Sequence, residues 1–137
     1  MKGRKRWLLT DTQGWVIERW VDAADVQDDD GGRIPVRAAQ ERCSRLTHLW
    51  VDAGFRQEFV DWVREEIGWT VDVVTKVAGQ QGFQVQPRRW VVERSLAWLG
   101  KQRRLAKDYE HLEESVEAWI DCTMIGLMAQ RLAHLRN

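Results

Sequence analysis

The chain has 137 residues, of which 44% are hydrophobic, enough for one domain with a buried core and too many for a disordered tail. Lys plus Arg and Asp plus Glu both total 21, so the net charge is zero and any contact with nucleic acid has to rest on local clustering. Cys43 and Cys122 lie far apart without CxxC spacing, which argues against a disulfide framework or a zinc site and implies two reduced, packed thiols.

Residues 1–6 are basic, but no apolar stretch of signal-peptide length follows them, and no run of about 18 apolar residues occurs anywhere. A cytoplasmic protein with no membrane partner is expected. The basic opening can be a DNA-binding arm, a chance solubilising tail or the start of a strand. Residues 7–10 and 15–21 are rich in aromatic and β-branched types around Asp11-Thr12-Gln13-Gly14, which predicts a hairpin. Asp28-Asp29-Asp30-Gly31-Gly32 predicts a polar break, with Pro35 in the first turn of a helix ending near residue 46. The acidic triplet lacks the alternating oxygen ligands and closing Glu of an EF-hand, so it is read as a solvated loop and helix N-terminus.

His48-Leu49-Trp50-Val51 predicts a strand with Asp52 at its end and Gly54 after it. A helix follows over residues 56–67, with Phe59, Val60 and Val63 on one side, and Gly68 stops it before a β-branched strand over 69–74. A hairpin followed by alternating strand and helix predicts a mixed α/β sheet. Residues 79–86 form a polar, glycine-containing loop, and two helices finish the chain. The first spans about 88–107. The second starts near Glu114 and repeats Val116, Trp119, Ile120, Ile125, Leu127, Met128, Leu132 and Leu135, a stripe expected to be core. The nine tryptophans are scattered without a repeat and are assigned to packing rather than base stacking.

Two carboxylates and one basic stretch could carry chemistry. Asp52 stands where a strand end meets a loop, the place in α/β sheets where ligands converge, although aspartates there also serve as turns. Glu93 shares a helix face with Arg89, Ala97, Gly100 and Arg104, beside a stripe of Val92, Leu96 and Leu99 expected to be buried; an Arg89–Glu93 surface pair is the plain alternative. Arg88, Arg89, Arg94, Lys101, Arg103, Arg104 and Lys107 meet only one acid, Glu93, which suits either phosphates or a solvated face. His48, His111 and His134 show no metal or catalytic spacing.

Pro87-Arg88-Arg89-Trp90-Val91-Val92-Glu93-Arg94-Ser95-Leu96-Ala97-Trp98-Leu99, followed by Arg103-Arg104-Leu105-Ala106-Lys107-Asp108-Tyr109-Glu110, resembles the glutamate-bearing helix of DDE insertion-sequence transposases. Lys2-Gly3-Arg4-Lys5-Arg6, Ala23 to Asp28 and Val51-Asp52-Ala53-Gly54-Phe55 agree in order, as does the stretch 115–132, so nearly the whole chain is covered. Phe55 stands where the family usually has Tyr, and Leu96 where it often has Phe. The resemblance implies a ribonuclease-H-like α/β domain, here with the first strand missing. Asp52 then takes the place of the second catalytic acid and Glu93 the third, together holding two Mg2+ or Mn2+ ions. It also implies DNA contact by Arg89, in the Arg-x-x-x-Glu spacing, with element ends and target DNA as partners; the basic clustering extends the expected contact to Arg88, Arg94, Lys101 and Arg104.

The expected organisation is one partial catalytic domain over 1–137, with hairpin and strand/helix units to 78, a loop at 79–87 and two helices over 88–137. The resemblance implies metal-dependent strand cleavage and transfer, with this chain alone inactive because the first catalytic Asp and the DNA-end-recognition domain are expected upstream. The chain then reads as a split frame, a frameshift partner or a decayed remnant. The alternative is a non-catalytic DNA-binding fragment, or one that pairs with an upstream transposase fragment or a full-length transposase.

Overall fold

The basic opening is a strand. In the computed structural model, which describes residues 3–74, 89–106 and 110–136, Arg4–Thr10 (β1) pairs antiparallel with Val16–Ala23 (β2). Gly14 closes the predicted turn at φ 94°, a conformation open to glycine without a Cβ penalty. The Asp11 carboxylate accepts the N–H groups of Gln13 and Trp15 there. Side chains alternate across β1. Lys5, Trp7 and Leu9 face one side, while Arg4, Arg6 and Leu8 face the other, where Arg4 donates to the Glu110 and His111 carbonyls and Arg6 to that of Leu105.

The break predicted at residues 28–32 does not exist. Helix α1 runs Asp28–Arg42, so Pro35 lies in its interior rather than its first turn, and it ends four residues before the expected residue 46. Three acids in the first turn favour the positive end of the helix. The glycines are there for packing: a Cβ on Gly31 would stand 2.3 Å from the Trp7 ring, and one on Gly32 2.6 Å from the Phe55 ring. Close approach on both sides offsets the helix cost of about 1 kcal/mol per glycine.

His48–Asp52 (β3) and Thr70–Val74 (β4) pair in parallel through Gln57–Trp62 (α2), which a π-helical turn, Val63–Ile67, extends. The wider turn brings Val63 and Ile67 inward beside Phe59 and Val60, and Gly68 ends it at φ 85°. These residues, with Val36 and Ala39 of α1 and Leu49, Val51 and Val71 of the strands, form the first core.

α1 fixes the direction of everything else. Its first turn meets Lys5 near the start of β1, and Arg42 in its last turn binds Glu18 beside Leu9 at the far end, so α1 runs parallel to β1. Asp29 binds Arg56 just after β3, whereas Gln40 binds the Ile67 carbonyl just before β4, so α1 runs antiparallel to β3 and β4. β1 and β3 therefore point in opposite directions. Instead of one mixed sheet, the described strands form two two-stranded sheets, β1–β2 and β3–β4, because no described strand joins β1 to β3. The architecture is mixed α/β and compatible with a ribonuclease-H-like domain.

The helix expected over 88–107 is two pieces, Arg89–Gly100 (α3) and Arg103–Ala106 (α4), with Gln102 bonding back to the Leu99 carbonyl. That reversal returns Leu105 to the second core, where Leu99, Val21 and residues of Glu113–Arg136 (α5) meet. The α5 stripe is core only in its first half. Val116, Ile120 and Met124 are buried, but Ile125, Leu132 and Leu135 are 65%, 62% and 68% exposed. A helix of this length spans about 36 Å and β2 about 26 Å, so α5 outruns the strand it covers. Cys122 is exposed rather than packed, and of the tryptophans Trp7 and Trp69 are buried while Trp50 and Trp119 are not. No helix among the described residues is long and apolar enough to cross a membrane. The expected loop at 79–87 lies outside the described residues.

Candidate metal and DNA-contacting site

Asp52 occupies the predicted place, the last residue of β3, with an exposed carboxylate. One of its oxygens accepts the Gly54 N–H at 2.9 Å, which shapes the turn and leaves the other oxygen outside that bond. Gly54 also reveals a neighbour. A Cβ built there would lie 3.0 Å from Asp52 Oδ1 and 3.0 Å from Asp28 Oδ2, so the two carboxylates flank the same point. Asp28 Oδ1 in turn lies 3.1 Å from Lys5 Nζ, a half-exposed ion pair that places a cation beside the acids. The acidic triplet, expected as a solvated loop, instead places Asp28 beside Lys5 and Asp52. No spacing rule could have paired Asp28 with Asp52, since α1 and β3 bring them together through opposite chain directions.

Asp29 is not solvated either. Its buried carboxylate accepts Arg56 N at 3.0 Å and Arg56 Nε at 2.8 Å, fastening the start of α1 to the chain just past Asp52. The hydrogen bond and charge of Asp29 raise the Arg56 pKa above its already high value. A cluster of three or more acid, His or Cys ligands is absent among the described residues. The Asp28 and Asp52 carboxylates are hard oxygen donors of the kind magnesium and manganese prefer.

On α3 the buried residues are Val91, Ser95 and Leu99, whereas Leu96 is 46% exposed, so the expected Val92-Leu96-Leu99 stripe is rotated. The rotation follows from a polar anchor, the Ser95 hydroxyl buried against the hairpin. Ala97 and Gly100, spaced four and seven from Glu93, are exposed, and Arg104 lies on α4 rather than on the same helix. The Glu93 side chain lies outside the described residues. Its backbone belongs to the part of α3 that meets Gly14, at the end of the hairpin opposite Lys5, Asp28 and Asp52. The described residues therefore bring Asp28 to Asp52 but do not bring α3 to them.

Among the basic residues, Arg88 and the Arg89 side chain lie outside the described residues. Arg94 is exposed with its guanidinium 4.5 Å from the Trp98 ring centre. Lys101 is exposed at the break between α3 and α4. Arg104 is exposed but lies 3.3 Å from Glu110 Oε1 and over the Trp119 ring.

No curated protein and no solved structure matches the chain. A family profile described as transposase DDE domain matches residues 1–127, a span that includes β1 through most of α5 and both sequence-predicted acids. With that much of its length matched, the chain belongs to the transposase DDE domain family.

Proposed function

We propose that this chain supplies Asp52 and Glu93 as two acids of a metal-dependent transposase centre, with Asp28 and Lys5 shaping the charge around Asp52. The family's activity is DNA transposition and generally uses divalent metals. The observation that carries the reading is the position of Asp52 at the C-terminal end of a parallel strand, with a second carboxylate beside it, inside the matched span.

Asp52 and Asp28 would hold one divalent ion, and Glu93 is assigned to the centre by its place in the matched span. Two such ions would supply activation of the attacking oxygen and stabilisation of the leaving one in phosphodiester chemistry. The chain's own contributions are positional. Gly54 N–H orients one oxygen of Asp52, and the Asp29–Arg56 pair holds the turn that carries it. Lys5 holds Asp28 and offsets the charge of two adjacent acids. Arg88, Arg89, Arg94, Lys101 and Arg104 would contact the phosphate backbone of the element ends and target.

The test has two parts. Mn2+ titration of the chain should show binding that Asp52→Asn removes and the remote Asp22→Asn leaves unchanged. DNA nicking should stay absent in the chain alone and depend on Glu93 when a carboxylate-bearing upstream segment is supplied, fused or in trans. Equal Mn2+ binding by the parent and Asp52→Asn, or Glu93-independent nicking, would overturn the reading. The exposed Ile125, Leu132 and Leu135 of α5 favour the second reading, a fragment that pairs with a full-length relative without cutting DNA.

A further inference from the structure

Two opposite rows of residues run along α5 at three- and four-residue spacing. The inner row begins with Val116, Ile120 and Met124, buried in the second core, and continues through Leu127 to the exposed Arg131 and His134. The outer row, Ala118, Cys122, Ile125, Ala129 and Leu132, lies on the other side of the helix, and every member is exposed. Trp119, Gly126 and Ala133 flank it and are exposed too. Beyond the end of β2 the polarity of the helix is therefore inverted, with the polar side continuing the core row and the apolar side facing outward. More of the same domain packed beneath this overhang would call for the reverse, so the outer row is covered from outside.

Three features of this face describe what covers it. Gly126 sits in the middle of α5 at a helix cost of about 1 kcal/mol relative to Ala, yet a Cβ there would meet nothing within 4 Å beyond its own helix. Gly31 and Gly32, by contrast, are explained by the rings packed on them. A hollow beside Gly126, lined by Gln102, Trp119, Cys122 and Gln130, leaves room for a close neighbour. Charge marks the two ends of the outer row, since Glu114 opens it one turn before Ala118 and Arg136 closes it one turn after Leu132. A second α5 laid antiparallel brings Arg136 toward Glu114 at both ends, whereas a parallel one sets like charge against like.

We propose that the outer face of α5 pairs with the same face of a second copy of this chain, antiparallel about a two-fold axis beside Gly126. In that register Ile125 packs on the partner's Ala129 and Cys122 on the partner's Leu132, so each large residue meets a smaller one. Trp119 lies over the partner's Ala133, and the two Gly126 residues let the helix backbones approach. The paired length, Ala118 to Arg136, is about 28 Å, which makes a small and weak interface. The dilute chain is a monomer, and the concentrated chain a dimer. The face needs neither metal nor DNA, so its success or failure is separate from that of the proposed transposase centre.

The experiment uses the full chain with Cys43→Ser, which leaves Cys122 as the sole thiol. Adding Leu132→Cys should give a covalent dimer under mild oxidation, with peptide mapping showing position 122 of one copy joined to position 132 of the other. Those positions lie ten residues, about 15 Å, apart on one helix, and so do the two Cys122 thiols of the antiparallel pair. A disulfide joins Cα atoms no more than about 7 Å apart, so the Cys43→Ser chain without the added thiol should not cross-link. Ile125→Glu, at a position 65% exposed, should leave the circular dichroism unchanged, suppress the cross-link and weaken self-association in sedimentation equilibrium by about tenfold or more. If that variant fails to fold, Ile125→Ala should still weaken association, by a smaller factor. The proposal is overturned by a chain that stays monomeric at every concentration, by cross-linking of Cys122 to itself, which marks a parallel pair, or by a cross-link that a folded Ile125→Glu chain retains.

Discussion

The hydroxyl of Ser95 on α3 stands 2.5 Å from the carbonyl of Gly14 at the hairpin tip, in a buried contact that ties the Glu93 helix to β1 and β2. Ser95→Ala leaves that carbonyl buried without a donor and should cost about 1–2 kcal/mol in urea unfolding. Gly14→Ala should cost about as much, through φ 94° and a Cβ 3.1 Å from the same hydroxyl. The double variant should cost less than the two single effects added, since both act on one contact. Full additivity would place the α3 anchor elsewhere.

Gly31→Ala should be among the most damaging single-methyl additions in the chain, about 1–3 kcal/mol, because the new Cβ meets the Trp7 ring at 2.3 Å. Shrinking the ring with Trp7→Leu in the same chain should recover part of the loss in thermal unfolding. A harmless Gly31→Ala would mean that α1 does not pack on β1 as described.

Leu99→Ala and Leu132→Ala remove the same atoms from opposite environments. Leu99 is 1% exposed in the second core and its truncation should cost about 2–5 kcal/mol. Leu132 stands on the overhanging half of α5, so its truncation should change stability by no more than about 0.5 kcal/mol. Denaturant midpoints of the two variants measure the difference directly.

Duplex DNA binding should be weak and salt-sensitive, carried by the basic face of α3 and the turn that follows it. Lys101→Ala should lower the magnitude of the log K against log salt slope by about 0.9 without changing sequence preference. Arg104→Ala should change it less, because Glu110 lies 3.3 Å from that guanidinium. An unchanged slope in a folded Lys101 variant would leave this face without a phosphate contact.

What was legible in the sequence was local. Asp11 to Gly14 between two β-rich runs gave the hairpin, and Gly68 after an apolar helix gave the turn into β4, because turn chemistry depends on neighbours in the chain. Asp52 at a strand end was readable for the same reason. Gly31 and Gly32 misled, since their role is set by Trp7 and Phe55, residues that periodicity cannot bring together. Leu96 and Leu132 misled in another way: an apolar residue at helical spacing marks a face, but whether anything covers that face is a property of the tertiary arrangement. The Asp28–Asp52 pairing was hidden because it follows from α1 running parallel to β1 and antiparallel to β3.

That opposed course of α1 also decides how the chain can come apart. An isolated two-stranded pairing is at best marginal in water, and the described residues form two of them. Each has further helices, α3 and α5 on the hairpin and α2 on the parallel pair, but both also lean on α1, through Gly31 at β1 and Val36 at β3 and β4. Loss of α1 removes the shared wall from both at once, so the hairpin and the β3–α2–β4 unit should melt in a single transition. Cutting the chain after β2 would leave neither piece with a complete interior.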